Sequence, residues 1–338
     1  MKTRFNRYSV AALCCAMFGF SACSDWTDVE SVEIKTPGLE EQNPELYARY
    51  LSNLNDYKQS AHKVVYAWFD NENKQPFSRG QHLSDVPDSL DVVVMKYPQN
   101  LAAFELKDMT AVRAKGTKVI YEISFEKIRK AYLDGVDAGT EKNSFDQYLK
   151  NAVKEQLGYA DPFDGMVVSF RGSNPLYMSD KDKTDMQTWQ NIFFGDIMEW
   201  YKSAGDKWMA FRGYPENLMG QKALLDACKH IMLATESVNS KDKLSVAAHL
   251  SMFSADVPTD RFLVVASTVS LDSGDKNTGF YGDVRALSEA AYWTTESAQG
   301  YVRAGLGIDD VQNDYYNPGD TYRYVREAIQ IMNPAPKK

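Results

Sequence analysis

This chain of 338 residues contains few cysteines and few histidines, and it has no net positive charge. Of its four cysteines only Cys228 lies beyond residue 23, so no disulfide is predicted in the body of the protein. The formal net charge is −8, which argues against a nucleic-acid partner. No Gly-rich Lys-Ser/Thr phosphate loop is present, and the histidines show no metal-ligand spacing. We therefore expect no metal, no cofactor and no nucleic acid. The four histidines are His62, His82, His230 and His249.

The N-terminal apolar run, residues 11–20, is too short to span a bilayer. It follows the basic residues Lys2, Arg4 and Arg7, as the apolar core of a secretory signal does. The sequence Phe20-Ser21-Ala22-Cys23 comes next. It resembles the bacterial lipobox, which implies cleavage before Cys23 and diacylation of that residue. The alternative is an ordinary secretory peptide cut after Ala22, which would leave Cys23 as a free thiol.

The chain is expected to have three parts: a signal peptide over residues 1–22, an acidic tether and N-terminal extension over 23–58, and a globular domain over 59–338. One possible helix lies within the extension, at residues 44–57. Asp25, Asp28 and Glu30 follow the lipidation site and resemble the surface-export signal of lipoproteins in Bacteroides-like bacteria. A simple solvated tether is the alternative. We therefore predict an outer-membrane lipoprotein, displayed at the cell surface and bound to the membrane through its lipid.

Eight short apolar runs alternate with longer amphipathic segments in the globular domain. The runs are rich in β-branched residues and nearly continuous, as expected of parallel strands buried on both faces. The segments between them favour helices, such as the one that the capping box Ser144-Phe145-Asp146-Gln147 opens. Eight strand-helix units predict an α/β fold, a closed (β/α)8 TIM barrel, with an open doubly wound sheet as the alternative. The predicted strands are Val64–Phe69, Leu90–Met95, Lys118–Ile123, Gly165–Phe170, Lys207–Phe211, His230–Ala234, Phe262–Ala266 and Ala290–Trp293.

The fourth predicted strand carries a recognisable motif. Residues 164–171 read Asp-Gly-Met-Val-Val-Ser-Phe-Arg. They resemble the Asp-Gly-x-Asp-x-Asp-x-Glu motif of glycoside hydrolase family 18. Residues 315–319 and 327–334 resemble the ending of endo-β-N-acetylglucosaminidase-like lipoproteins of gut Bacteroides. The resemblance implies a TIM barrel that acts on or binds N-acetylglucosamine-containing glycans.

The catalytic part of this motif is degenerate. By the resemblance, Val167 replaces an inner Asp, Ser169 replaces the Asp that steadies the substrate acetamide, and Arg171 replaces the acid Glu. An arginine cannot donate its proton near neutral pH, and the loss of a general acid lowers the rate roughly 10²–10⁴-fold. The family's sixth-strand tyrosine is also missing. We therefore predict a pseudoenzyme with no catalytic residues of its own.

Binding residues are predicted instead at the strand ends, where a TIM barrel carries its site. The resemblance implies that Trp293, at the end of the eighth predicted strand, is a platform for a sugar ring. Core packing is the alternative for any single aromatic residue of this set. Aromatic faces stack on pyranose rings, and polar side chains satisfy the hydroxyl groups. The predicted glycan-binding residues are Trp293, Trp68, Tyr97, Asp164, Arg171, Tyr214 and Glu236.

The sequence thus favours a non-catalytic protein that captures N-glycans or related oligosaccharides beside a glycan transporter and active glycosidases. The first alternative is an active endo-β-N-acetylglucosaminidase that uses a displaced acid. The second is a protein-interaction scaffold with a blocked cleft. The candidate acids are the carboxylates near predicted strand ends: Glu122, Glu236, Asp272 and Glu296.

Overall fold

The computed structural model describes residues 38–335. Within the described residues, the chain divides into two units at residues 48 and 49. A short helix, α1 (Leu39–Gln42), is followed by α2 (Pro44–Gln59), which confirms the helix predicted there. The signal segment, Cys23 and the acidic stretch after it lie outside the described residues, and those predictions stay predictions. No helix within residues 38–335 is long and apolar enough to cross a membrane.

Eight parallel strands of the second unit form a closed barrel. Each strand pairs with the next in the chain, and the eighth returns to pair with the first. This closed sheet confirms the predicted (β/α)8 barrel and rules out the open doubly wound sheet. The strands are β1 (Val64–Phe69), β2 (Val92–Met95), β3 (Lys118–Ser124), β4 (Gly165–Phe170), β5 (Trp208–Gly213), β6 (Ile231–Leu233), β7 (Phe262–Ser267) and β8 (Arg303–Asp309).

Helices follow the strands with two departures from strict alternation. Only two short 3-10 turns, Arg79–Gln81 and Leu83–Asp85, lie between β1 and β2, and two helices instead of one connect β3 to β4. The first begins directly where β3 ends, since Ser124 closes the strand and its Oγ accepts the N–H of Lys127 at 3.3 Å. The second begins at the predicted cap, where Ser144 Oγ accepts the N–H of Gln147 at 3.4 Å. The helices are α3 (Ala103–Ala114), α4 (Phe125–Asp137), α5 (Phe145–Leu157), α6 (Asp180–Ser203), α7 (Lys222–Ala227), α8 (Lys241–Met252), α9 (Ala286–Thr295) and α10 (Arg323–Met332).

The predicted eighth strand was wrong. Residues 290–293 belong to α9, whose buried positions recur at helical spacing. The true strand, β8, follows α9 and contains two glycines, which weaken the strand pattern in the sequence. Gly305 is required there, because a Cβ would lie 1.9 Å from the carbonyl oxygen of Val64 on β1.

Apolar side chains fill the interior of the barrel. Trp68 on β1 is the largest of them, and Gly307 on β8 leaves room for its ring, since a Cβ there would lie 3.1 Å from it. Val167 belongs to the same interior layer and is fully buried. The position at which the family pattern has an inner aspartate is therefore part of an apolar core. The interior layer consists of Tyr66, Trp68, Val92, Val94, Ile120, Val167, Ala210, Met232, Leu263 and Val265.

Candidate functional site

A buried arginine surrounded by carboxylates lies at the mouth of the barrel, the end at which the carboxyl ends of the strands meet. Arg212 on β5 is only 6% exposed. Around it lie Glu122 on β3, Asp309 at the end of β8, and Glu236 in the loop after β6. Arg171, directly after β4, reaches the same group through Glu236. We refer to these five residues as the mouth cluster.

Arg212 makes most of the contacts within the mouth cluster. Its Nη1 and Nη2 donate to Oδ1 and Oδ2 of Asp309 at 3.0 and 2.7 Å, which is a bidentate pair. Its Nη2 lies 3.4 Å from Glu236 Oε2, and its Nη1 lies 3.8 Å from Glu122 Oε1. Burial acts to lower the pKa of the Arg212 guanidinium, but Asp309 and Glu122 outweigh it and raise that pKa overall. Three carboxylates thus compensate one buried positive charge.

Arg171 occupies the position that carries the acid in the family pattern. Its guanidinium forms an ion pair with Glu236, and its side chain is 40% exposed. The backbone on either side is also fixed: the N–H of Arg171 donates to Glu126 Oε1 at 2.7 Å, and its carbonyl oxygen accepts from Asn217 Nδ2 at 2.7 Å. Glu236 is therefore shared between two arginines.

Two of the predicted aromatic residues lie at the mouth. The Cζ of Arg212 is 4.3 Å from the ring centroid of Trp68, a cation–π contact. Because Trp68 is fully buried, it supports Arg212 from below and offers no open stacking face. Tyr97 follows β2, lines the cleft and is partly exposed. Its N–H donates to Asn71 Oδ1 at 2.9 Å, and burial raises the pKa of its hydroxyl.

An open cleft of about 670 Å³ begins at the mouth cluster. Ser169, Arg171 and Arg212 line its inner end, and its outer end runs between α4 and α5. Small-molecule sites have volumes of about 300–1,000 Å³, so the cleft is large enough for a ligand. Such a cleft does not favour the hypothesis of a scaffold with a blocked site.

The structure does not place Trp293 at the mouth. It lies in α9 and is fully buried. Its Nε1 donates to Ser245 Oγ at 2.9 Å, and the guanidinium of Arg303 lies 4.2 Å from its ring centroid. The prediction that this ring is a sugar platform was wrong, because both the strand and the exposed face that it required are absent.

Asp164 and Tyr214 also lie away from the cleft. Asp164 precedes β4 at the end of the barrel opposite to the mouth. There it forms an ion pair with Arg113 at 2.9 Å, and its Oδ2 accepts a hydrogen bond from the N–H of Val119 at 2.7 Å. It therefore links neighbouring elements at that end and cannot reach a ligand at the mouth. Tyr214 follows β5 and donates its N–H to the carbonyl oxygen of Phe170 at 3.2 Å, but it does not line the cleft.

The four carboxylates considered as displaced acids separate into two groups. Glu122 and Glu236 belong to the mouth cluster, where arginines engage them. Asp272 lies in an exposed loop and accepts the N–H of Gly274 at 2.8 Å. Glu296 follows α9 and pairs with Lys241 at 2.8 Å. Among the described residues, no group of three or more metal-ligating side chains could hold a metal ion.

Sequence reasoning missed Arg212 and Asp309. The predicted fifth strand stopped at Phe211, one residue before Arg212. An arginine that directly follows an apolar strand indicates a buried charge at the strand end. Charged residues are almost never fully buried unless they are paired, so such an arginine indicates a partner. Asp309 was missed because β8 was not recognised.

Several solved structures have a similar fold. A selenomethionine form of BT1044 gives a TM-score of 0.63 at 15% identity, covering 87% of this chain and 95% of that chain. The endo-β-N-acetylglucosaminidase of Cordyceps militaris gives 0.60 at 16% identity, covering 84% and 95%. A family 18 chitinase from Pseudoalteromonas aurantia gives 0.51 at 10% identity, covering 78% and 99%. At these identities the likeness establishes the fold alone.

Family membership is decided by sequence. No curated protein matches this chain significantly. The sequence profile described as glycoside hydrolase family 18, BT1044-like, matches residues 27–331, which include all eight barrel strands. The resemblance found in the fourth strand is thereby confirmed, and the chain belongs to the BT1044-like group of glycoside hydrolase family 18.

Proposed function

We propose that this protein binds N-acetylglucosamine-containing oligosaccharides, such as N-glycans, in the cleft at the mouth and does not hydrolyse them. The observation that carries the proposal is Arg171, which stands where the family acid would stand and is paired with Glu236. Arginine has a pKa above about 12 in proteins and holds its proton near neutral pH. Its positive charge would also oppose the oxocarbenium-like transition state of glycoside hydrolysis.

No other carboxylate of the mouth cluster is arranged to replace the missing acid. Glu122, Glu236 and Asp309 all lie within ion-pair distance of Arg212, at 3.8, 3.4 and 2.7 Å. An ionised carboxylate only accepts hydrogen bonds, whereas a general acid must donate one. The arrangement therefore favours binding over hydrolysis.

The ligand class follows from the family and from the lining of the cleft. One structurally similar protein is an endo-β-N-acetylglucosaminidase, which supports a ligand containing N-acetylglucosamine. The cleft combines the aromatic ring of Tyr97 with the hydroxyl of Ser169 and the guanidinium of Arg171. Aromatic rings and a few oriented polar groups are what sugar rings and their hydroxyls require.

The proposal includes the place of the protein in the cell. The lipobox-like sequence before Cys23 and the acidic residues after it support a lipoprotein on the surface of the outer membrane. A binding protein there would hold glycans beside a transporter and active glycosidases.

A glycan-release assay tests the lack of hydrolysis. We expect the wild-type protein to release no N-glycan from a glycoprotein, as measured by mass spectrometry, while calorimetry detects binding of the free glycan. Arg171→Glu with Ser169→Asp restores two family positions and should give at most trace release, because Val167 still fills the place of the third carboxylate.

The displaced-acid enzyme makes the opposite prediction. Robust release by the wild type, abolished by Glu236→Gln or Glu122→Gln, would replace our proposal with an active endo-β-N-acetylglucosaminidase. A wild type that neither binds nor cleaves glycans would instead favour a protein-interaction role.

The lipid anchor has its own test. We expect Cys23→Ser to release the protein from membranes, because acyl chains contribute about 0.8 kcal/mol per buried CH₂ group and the mutant has none. Detergent phase partitioning of the two proteins measures the change, with Cys228→Ser as the matched control. Equal partitioning of Cys23→Ser and wild type would contradict lipidation.

A further inference from the structure

A second cavity lies at the end of the barrel opposite to the mouth. Its volume is about 480 Å³, which is within the range of small-molecule sites. The first residues of β1, β2, β3 and β5 line it from the barrel, and the last turn of α2 borders it with Lys58 and Gln59. We call this cavity the basal pocket. It shares no residue with the cleft at the mouth.

A glycine after α3 allows α2 to approach the basal pocket. Gly116 has a φ of +83°, and a Cβ there would lie 2.8 Å from Asn55 Oδ1 and 3.3 Å from Lys58 Cδ. Any other residue would be strained and would also press against α2. Asn55 Nδ2 donates to the carbonyl oxygen of Ala114 at 3.1 Å. The turn after α3 therefore fixes the position of Lys58.

Lys58 reaches the basal pocket with its ammonium group bound to neutral oxygens. Its Nζ donates to the carbonyl oxygen of Leu90 at 2.6 Å and to the hydroxyl of Thr117, which itself donates to Leu90 at 2.9 Å. Burial lowers the pKa of Lys58 to about 8, although Asp91 and Asp88 act to raise it. The lysine is thus mostly charged at neutral pH, but its charge is poorly compensated.

Lys118, the residue after Thr117, supplies a second positive charge. It is the first residue of β3 and precedes the interior residue Ile120 by two positions, so its side chain points towards the barrel axis. Lys118 is exposed and lines the pocket. Within residues 38–335, neither Lys58 nor Lys118 forms an ion pair.

The carboxylates of the basal pocket, in contrast, already have partners. Asp164 Oδ2 accepts from Arg113 Nε at 2.9 Å, and Asp91 Oδ1 pairs with His62 Nε2 at 2.8 Å. The bond to Asp91 raises the pKa of His62, which favours its charged form. Each of these pairs is close to neutral, so the two lysines give the pocket an excess of positive charge.

A flat aromatic ring forms a further wall of the pocket. Trp208, the first residue of β5, is partly exposed, and its Nε1 donates to Tyr66 Oη at 2.7 Å. Tyr66 Oη also contacts His230 Nδ1 at 2.9 Å, so the orientation of the indole is fixed. The strand between Trp208 and Lys118 is β4, and its first residue, Gly165, has no side chain to fill the space.

We propose that the basal pocket binds an aromatic phosphate monoester, with the phosphate between Lys58 and Lys118 and the ring against Trp208. A phosphate monoester has a charge of about −1.5 to −2 at neutral pH, which matches two ammonium groups. The ligand joins α2 to the barrel, because one lysine belongs to α2 and the other to β3. The site is separate from the glycan site and does not rest on the proposed function.

Calorimetry with phenyl phosphate tests the site. We expect the wild type to bind this probe, and Lys58→Met and Lys118→Met each to weaken binding about tenfold, because a charged hydrogen bond is lost. Lys118→Arg keeps the charge and should keep most of the affinity. Lys229→Met is the matched control. Lys229 is exposed and precedes β6 at the same end of the barrel but does not line the pocket, so its replacement should leave the affinity unchanged.

Methyl phosphate tests the role of the ring. Since an aromatic contact contributes roughly three- to tenfold in affinity, phenyl phosphate should bind that much more tightly than methyl phosphate. Trp208→Leu should remove the difference between the two probes. Circular dichroism verifies the fold of each variant.

Hydrogen exchange reports where the ligand binds. Phenyl phosphate should slow the exchange of the amides of residues 49–59 in the wild type and in Lys229→Met, but not in Lys118→Met, because the ligand holds α2 against the barrel. Tetra-N-acetylchitotetraose should not change the affinity for phenyl phosphate, since the mouth lies at the other end of the barrel.

Several results would overturn the proposal. A wild type that does not bind phenyl phosphate, or folded Lys58→Met and Lys118→Met proteins with wild-type affinity, would exclude the basal pocket as its site. Competition by tetra-N-acetylchitotetraose would place the anion at the mouth. Equal affinities of the wild type for phenyl phosphate and methyl phosphate would overturn the aromatic ligand class.

Discussion

Arg212→Met is expected to lower the free energy of unfolding by about 3–5 kcal/mol, because breaking a buried ion pair leaves uncompensated charge. Methionine has a similar length but no charge, so Asp309 loses both of its guanidinium contacts and Glu122 and Glu236 lose their shared partner. The three carboxylates, whose side chains are only 6–13% exposed, would then repel one another. Urea denaturation at pH 7 measures the change.

Arg171→Met is the control from the same cluster. It removes the same charge, but the side chain is 40% exposed, so a loss of only about 0–1 kcal/mol is expected. An equal loss of unfolding free energy in the two variants would mean that the buried ion pairs of Arg212 do not stabilise the mouth.

Trp293→Ala is expected to destabilise the barrel by about 3–5 kcal/mol, as large-to-small changes of buried tryptophans do. The ring is fully buried, stacks on Tyr301 at a centroid distance of 6.3 Å and lies under the guanidinium of Arg303. Thermal or urea denaturation measures the loss.

Tyr292→Ala provides the comparison for Trp293→Ala. Tyr292 is the preceding residue of the same helix and is 50% exposed, so its replacement should change stability by less than about 1 kcal/mol. A stable Trp293→Ala protein with weakened glycan affinity would contradict the buried position and restore Trp293 as a ligand contact.

The sequence predicted most of the barrel because buried parallel strands are short, mainly apolar runs enriched in β-branched residues. Leu90–Met95 contains three consecutive valines and Phe262–Ala266 contains two. The prediction failed at the eighth strand for two reasons. The helix α9 contains a short apolar run that looks like a strand, and β8 contains Gly305 and Gly307, which are needed for close contacts with other strands. Such contacts are long-range, so a local pattern cannot reveal them.

The site was predictable only in part, for a related reason. The degenerate motif identified Ser169 and Arg171, and both line the cleft. Asp164 belongs to the same motif, but β4 begins at Gly165, which places Asp164 at the opposite end of the barrel. Arg212 acts through partners on three other elements, and only the folded chain brings those together.

The mouth cluster also bears on the kinetics of ligand capture. Its ion pairs connect β3, β5, β8 and the loops after β4 and β6, and the stacked Trp68 adds β1. A rim that is cross-linked in this way is already ordered before a ligand arrives, so little conformational entropy is lost on binding. Oligosaccharides of different structure should then associate at similar rates and differ mainly in how long they stay bound.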